Sequence, residues 1–400
     1  ANGKAITEKN KGIFWLAVHG ANCWGNDKVA LEDRQQWVLD NTEWIAACGK
    51  DPIANLQWND ADSPYQFLAF CDEWARYQEE GEGFISHLPV AVDGSCNGLQ
   101  LYSLMLRDEH AGKLVNLTVT DKPQDIYQAV ADNVRERLRQ DATDGKPWAQ
   151  AWLNYGVTRK ITKRPIMTIC YGSTRYSCTD FVLEEIKKAA RLGKGHPFTK
   201  TNVLEACTYL AKAIWSSIGD NLASARQGMD FLQSIARIIC KDQLPIFWKN
   251  PVGFPIWQSY PETRSMRVKA HLMGEVIKPR LNKDLDTTDR RKMVNGVAAN
   301  FVHSLDSACM METVNLCAKK GITNFCNVHD SFGTTAADVH MLNETLRDAF
   351  VKIFQDDVLQ DFRDGIEVLL LEKDRELLPD VPEKGKLNLD DLRQSEFFFA

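Results

Sequence analysis

No apolar run in this 400-residue chain reaches bilayer-spanning length, and neither a basic-then-apolar signal nor an Arg-rich amphipathic presequence opens it. A membrane protein is therefore not expected. Cysteine is present eleven times, but without CxxC or Cys/His ligand spacing. Reduced thiols in a cytosol-like compartment are expected, with no structural zinc. Internal repeats and low-complexity linkers are absent. Positive charge is not in excess: 48 Lys and Arg against 54 Asp and Glu leave a net charge of −6. That argues against a chain basic all over, yet leaves room for a local basic groove. An initiating Met is also missing. The chain opens ANGKAITEKNKG, and a fragment lacking its upstream part is expected. What remains, 44% hydrophobic and 26% charged over 400 residues, is the make-up of a globular protein of two or three domains.

Residues 1 to 87 read mostly helical. VALEDRQQWVLDNTEWIAACGK places Leu31, Val38 and Ile45 at helical spacing, with Trp37 and Trp44 beside them. Ser63-Pro64 is a start signal, a capping Ser before Pro at the first helical position. Phe67, Leu68, Cys71, Trp74 and Ala75 then form one apolar stripe. Such stripes and the tryptophans around them are core material and carry no chemistry.

In SHLPVAVDGSCNGLQLYSLMLRDE, Leu88 to Val92 reads as a short buried strand with Asp93 at its end. Gly94 and Gly98 follow, then a helical run. An acid at a strand end among small residues can hold a metal near a ligand; a capping Asp in a strand-to-helix turn would look the same.

RKITKRPIMTICYGS, residues 159–173, carries Arg159, Lys163 and Arg164, then an apolar run, then Tyr171-Gly172. Lys163 and Tyr171 lie a little over two helical turns apart, and Arg159 one turn before Lys163. Two cations followed by an aromatic ring suit a triphosphate at one end and a base or sugar at the other. An amphipathic helix with a solvated basic end is the plainer alternative. Pro165 belongs in a first turn, where its missing N–H costs little, rather than mid-helix, where it costs about 3 kcal/mol. A regular helix starting near Thr162 or Lys163 is therefore expected, with Arg159 on a preceding turn.

DKPQDIYQAVADNVRERLRQ is an amphipathic helix in a helix-rich stretch from about residue 108 to 306. The tract 187–200 holds five cations, either a solvated loop or a weak backbone-binding surface. GFPIWQ reads as a strand. In TRSMRVKAHLMGEVIKP, Met266, Val268, Ala270 and Leu272 alternate with Arg267, Lys269 and His271, and Gly274 is the turn. A ribbon with such a basic face can enter a DNA major groove; an exposed edge hairpin with solubilising charges fits equally. NGVAANFVHSLDSACMMETVNLCAKKG is a helix with His303 and Asp306 on neighbouring positions of one face. FCNVHDSFG puts His329-Asp330 after a short apolar strand, with Ser331 to Gly333 as a tight turn. The tail ends on three Phe and Ala400, a terminus built to dock.

Asp93 and Asp330 each end a short strand, and adjacent strands would bring them within a few ångström. Two carboxylates with backbone oxygens nearby suit Mg²⁺. Two such ions roughly 3.5–4 Å apart can clamp the attacking and leaving oxygens of a phosphoryl transfer, while Lys163 and Arg159 would neutralise a triphosphate.

DGSCNGLQ, TRKITKRPIMTICYGS and VHDSFG stand in the order and form of the three polymerase motifs of the single-subunit, phage-type RNA polymerases, a family that includes the mitochondrial enzyme. NGVAANFVHSLDS and the terminal FFFA resemble it too, so the likeness covers essentially the whole chain. It implies an α+β, predominantly helical fold: a right-hand palm with a small antiparallel sheet and inserted helical fingers. Residues 1–109 would be the first palm portion, 110–302 the fingers with a specificity-loop-like hairpin at 264–279, and 303–400 the returning palm and tail. By motif position, Asp93 and Asp330 would hold two Mg²⁺ ions with the Gly94 carbonyl. Lys163 would contact the triphosphate and protonate the leaving pyrophosphate, supported by Arg159. Tyr171, followed by Gly172, would abut the incoming base and sugar, and His303 would sit near the sugar. His329 would support Asp330. Arg264, Arg267, Lys269 and His271 are the candidate DNA readers.

The implied partners are a DNA template and promoter, an RNA transcript, ribonucleoside triphosphates and the polymerase's own upstream region, in a monomeric enzyme. The implied setting is the cytoplasm of a phage-infected cell, or else a mitochondrial or plastid matrix. Family A DNA polymerases are the nearest rival. They carry a Glu five residues after the first metal Asp that blocks the ribose 2′-OH; Gly98 stands there in this chain, so a ribonucleotide is expected. A catalytically silent nucleic-acid-binding fragment is the rival from another class.

Overall fold

In the computed structural model, which describes residues 2–399, helix accounts for 58% of the chain. The strands among the described residues form five two-stranded antiparallel sheets. The fold is thus α+β and mostly helical. Its chain divides into two units. The first comprises Ala1–Ile126, Asp306–Asp356 and Lys386–Ala400; the second comprises Tyr127–Leu305 and Asp357–Gly385.

The first unit is built round an antiparallel pair, Pro89–Asp93 with Ser331–Thr335. Val90, Val92 and Phe332 are buried along it, the alternation expected where one face meets a core. The helices Gly12–Trp24 and Val339–Gln355 pack on this pair, and Pro64–Glu80 packs on Gly12–Trp24. Glycines set how closely some of them approach: a Cβ on Gly49 would lie 2.1 Å from the Cys71 carbonyl oxygen. The stretch with Leu31, Val38 and Ile45 at helical spacing is two helices, Leu31–Asp40 and Thr42–Lys50. They break at Asn41, whose side chain donates to Trp37 O (2.7 Å) and accepts from Trp44 Nε1 (2.8 Å), so it competes with the helical ladder. Pro64 does open its helix, but Ser63 makes no side-chain capping bond. Trp24, Trp37 and Trp44, half-buried, pack with the buried Phe67 at ring centroids 5.1–6.2 Å apart. All eleven cysteines are free, and only Cys326 is exposed.

The tail docks into this unit. Phe397, Phe398 and Phe399 are buried, and the Phe398 and Phe399 rings lie edge-on to Phe350 at 5.1 and 5.4 Å. Arg347, itself buried, donates to Ser395 O at 2.7 and 3.1 Å. Ala400 lies outside the described residues.

The second unit packs the helices Ile126–Thr143, Arg175–Arg191, Val203–Asn221 and Ala223–Ile239. Trp152 is fully buried and donates through Nε1 to Ala206 O at 2.9 Å. A hairpin, Ile246–Lys249 with Pro255–Gln258, precedes a long ribbon. That ribbon pairs Pro261–Arg267 with Arg280–Thr288, and a tip hairpin pairs Ala270–Leu272 with Glu275–Ile277. It is longer than the expected 264–279. Met273 (φ 51°) and Gly274 (φ 85°) make its two-residue turn, both left-handed as a type I′ turn requires. Both faces are solvent-exposed over nearly its whole length, so alternation marks no buried side.

Candidate active site

The acidic candidates lie in the first unit. Asp93 ends its strand opposite Ser331, in direct register. His329-Asp330 is the tight turn itself, and Ser331 begins the partner strand; the expected order, with a strand before His329 and a turn over 331–333, is reversed. Val328 and Ser331 exchange both backbone hydrogen bonds at 2.9 Å across that turn. His329 takes the left-handed conformation there, with φ 53°. Before the turn the chain is irregular but fastened: Cys326 N donates to Gly333 O (2.8 Å), Gly333 N to Asn327 Oδ1 (3.1 Å) and Thr334 Oγ1 to Asn324 O (2.7 Å). Hydrogen bonds to side chains and a neighbouring carbonyl replace a regular ladder, which is why no strand forms at 322–327.

Asp330 is half-buried. Burial pushes its carboxyl above the ordinary value, with the nearby Asp93 charge adding to the shift and His329 opposing it. Asp306, in the helix Arg290–Lys319, responds to His329 too, and to Asp330 itself. Burial first, and then Asp330, raise it to about 6 against the bond from Asn97 and the His329 charge. Three carboxylates thus feel one another or a shared neighbour. Asp306 and Asn97 were not among the sequence candidates; Asp306 was visible only as a polar position one helical turn after His303.

Gly94 is held from two sides. A Cβ there would meet Gln100 Oε1 at 2.7 Å and the Phe399 ring at 3.3 Å, and Gly94 pairs with Phe399 as an isolated antiparallel bridge. Gln100 is buried and donates through Nε2 to Val115 O (3.0 Å) and Phe398 O (3.1 Å). Asn343 Nδ2 completes the clasp on Phe399 O at 2.9 Å. The docked tail therefore fixes the backbone beside Asp93. Gly98 is buried as the second residue of the helix Asn97–Leu106.

The cationic and aromatic candidates lie in the second unit. The helix runs Arg159–Ile169 with Pro165 inside it, so the expected start near Thr162 is wrong. Pro165 removes one backbone donor, but Ile161, Thr162, Pro165, Ile166 and Ile169 are buried together. Thr162 Oγ1 also donates to Tyr127 O at 2.7 Å. Tertiary burial outweighs the proline penalty of about 3 kcal/mol. Arg159 and Lys163 consequently share one helical face. The Arg159 guanidinium sits over the Tyr127 ring at 5.0 Å. Lys163 is exposed and pairs with no carboxylate among the described residues, whereas Arg164 is engaged by Glu184 and by the Phe181 ring at 4.3 Å.

Tyr171 is not helical: it follows the C-cap Cys170 in a turn closed by Gly172 N to Ile169 O (3.0 Å), with Gly172 at φ 81°. A Cβ at that position would also sit 3.2 Å from Asn295 O. Tyr171 stacks on His303, centroids 4.8 Å apart at 23°. The ribbon residues Arg264, Arg267, Lys269 and His271 are all exposed. Across the ladder Arg264 faces Lys283 and Arg267 faces Arg280, so cations oppose cations. Lys283 and Arg280 were absent from the sequence reading because pairing partners beyond residue 279 were not foreseen.

A family model for DNA-dependent RNA polymerase matches residues 7–377. The chain belongs to that family. T7 RNA polymerase of Escherichia phage T7 is 38% identical, aligned over 100% of this chain and 50% of its own length. The DNA-directed RNA polymerase of Enterobacteria phage T3 is 38% identical over 100% of this chain and 49% of its own. The mitochondrial DNA-directed RNA polymerase of Mus musculus is 33% identical over 98% and 33%. The chain thus spans about half the length of the phage relatives it matches, and less of the mitochondrial one. Among the described residues no helix is long and apolar enough to cross a membrane. None of the described residues forms a group of three or more His, Cys, Asp or Glu that could hold a metal ion. The oxygen set expected from the sequence is smaller: the Asp93 and Asp330 carboxylates with the Gly94 carbonyl. Its chemistry fits a hard divalent cation, because Asp330 is partly desolvated beside a second negative charge and a cation would relieve both.

Proposed function

We propose that this chain carries the palm and fingers of a DNA-directed RNA polymerase and adds ribonucleotides to an RNA 3′ end on a DNA template. The observation that carries the reading is the juxtaposition of Asp93 with the Asp330 turn across one antiparallel pair, in a chain that belongs to a DNA-dependent RNA polymerase family. Residues 1–109 and 303–400 are read as palm and 110–302 as fingers. The division into two units, the first made of three separated segments, is compatible with an insertion of this kind.

Asp93, Asp330 and the Gly94 carbonyl would hold Mg²⁺. Bound there, the two ions would supply charge neutralisation at the attacking and leaving oxygens. The remaining work belongs to side chains. Lys163, exposed and without a carboxylate partner among the described residues, binds the triphosphate and gives a proton to the departing pyrophosphate oxygen, while Arg159, one turn earlier, holds the phosphates. The Tyr171 ring, kept in place by its stack with His303, forms a wall for the base and sugar. At Gly98 no side chain obstructs a 2′-OH, which favours ribonucleotides. His329 holds Asp330 in its turn. The cation pairs of the ribbon, together with Lys269 and His271, would grip promoter DNA, since a polyanion offsets their mutual repulsion.

Primer extension on a preassembled RNA–DNA scaffold tests this, using the full-length polymerase with Mg²⁺ and either rNTPs or dNTPs. Extension with rNTPs is expected, falling at least about a thousandfold in Asp330→Asn. A preference for dNTPs would favour a DNA polymerase. Scaffold binding without extension would favour a silent nucleic-acid-binding protein.

A further inference from the structure

Asn97 opens the helix Asn97–Leu106 directly after Cys96, which provides no side-chain cap. It is 6% exposed, so water cannot replace a lost partner. Its Nδ2 donates to Asp306 Oδ1 at 2.9 Å, across 209 residues of sequence. Its own Oδ1 is buried with no hydrogen-bond partner among the described residues. One bond therefore decides the orientation of this side chain, and a buried amide stripped of it would be unsatisfied at both ends. The next residue is Gly98, whose empty side-chain position leaves space for a 2′-OH.

We propose that Asp306 is a positioning residue: through Asn97 it holds the start of the Asn97–Leu106 helix, and so fixes Gly98 where it sets the choice of sugar. This inference rests on the ribonucleotide-polymerising reading. Asp306 does not touch the nucleotide; it acts as a hydrogen-bond acceptor, and its negative charge is not what the position requires. Asn at 306 retains an Oδ1 acceptor and should serve nearly as well, whereas Ala should not.

The test uses the full-length polymerase and the variants Asp306→Asn, Asp306→Ala, Asn97→Ala and the double alanine. Single-nucleotide extension gives kcat and KM for an rNTP and its dNTP, and hydrogen exchange reads the Leu99 and Gln100 amides. In each alanine variant we expect KM for the rNTP to rise about tenfold and the rNTP/dNTP ratio of kcat/KM to fall about tenfold. The double alanine should be no worse than either single, because both remove one interaction. Asp306→Asn should stay within about threefold of wild type. The Leu99 and Gln100 amides should exchange about tenfold faster in Asp306→Ala and at the wild-type rate in Asp306→Asn. Damage in Asp306→Asn equal to that in Asp306→Ala would overturn the proposal, as would additive effects of the two alanines. A fall in kcat with KM and sugar ratio unchanged would overturn it too. If Asp306→Ala does not fold, Asn97→Ala and Asp306→Asn carry the same comparison. If the wild type fails to extend RNA, the functional reading falls, while the exchange rates still decide whether the bond holds the helix start.

Discussion

At single residues, the acidic hairpin is fixed by lack of room as much as by bonds. A Cβ on Gly333 would stand 2.6 Å from the Cys326 carbonyl oxygen, a backbone atom that cannot swing aside. Gly333→Ala must therefore push the 322–327 segment off the strand that follows Asp330. The expected cost is about 2–3 kcal/mol, read as a lower urea midpoint with an unchanged slope. A variant as stable as wild type would show that the segment yields freely. Asp93 and Asp330 were legible in the sequence because an acid at the end of a short apolar run, next to Gly or Ser, is a local pattern. The bond between Asn97 and Asp306 was not, since a lone Asp in an amphipathic helix reads like any solvated position and its partner lies 209 residues away. Tyr171 was expected on the helical face of Lys163, two turns on, but the helix ends at Ile169 and Tyr171 lies in the turn that follows.

Among the elements, strong periodicity located the helices and missed what only packing decides. Local propensity puts Pro165 in a first turn; the burial of Ile161, Pro165, Ile166 and Ile169 keeps it in the middle of the helix Arg159–Ile169 instead. The ribbon erred the other way. With both faces exposed it has no buried side to mark its ends, and the reading stopped short at 264–279 where pairing extends from Pro261 to Thr288. Its cross-strand charges give it a distinctive test. Directly opposed like charges cost about 0.2–1 kcal/mol per pair, so Arg280→Gln, which relieves Arg267, should slow amide exchange along the ribbon by up to about fivefold. The same change should lower the salt slope of DNA binding by about 1. A ribbon bound to DNA would show the two effects together. Slower exchange with an unaltered salt slope would mean the ribbon does not carry DNA, and unaltered exchange would mean the opposed cations are already well screened.

For the molecule as a whole, pH sets two half-buried groups of the first unit against each other. Burial lowers His19, on the helix Gly12–Trp24, from 6.5 to about 4. The unfolded chain then binds more protons than the folded one between these values. The stability contributed by neutral His19 is complete above pH 6.5 and is lost as pH falls toward 4. Asp306 has the opposite sign. Burial, opposed by the bond from Asn97, raises it from 3.8 to about 6, so the folded chain binds the extra proton. The penalty of a buried carboxylate is complete above pH 6 and is relieved as pH falls toward 3.8. Between pH 8 and pH 5 the first effect removes about 2 kcal/mol and the second returns about 1.5 kcal/mol. The wild type should therefore change little from this pair, and each variant should expose the other group. Relative to wild type, His19→Gln should gain stability on acidification, by about 2 kcal/mol, and Asp306→Asn should lose about 1.5 kcal/mol. Urea unfolding of the three proteins at pH 8 and pH 5, with chelator present, measures both. Referring each variant to wild type cancels the titration of every other group. Shifts of the same sign in the two variants would break the account, because no assignment of one lowered histidine and one raised carboxyl can produce them.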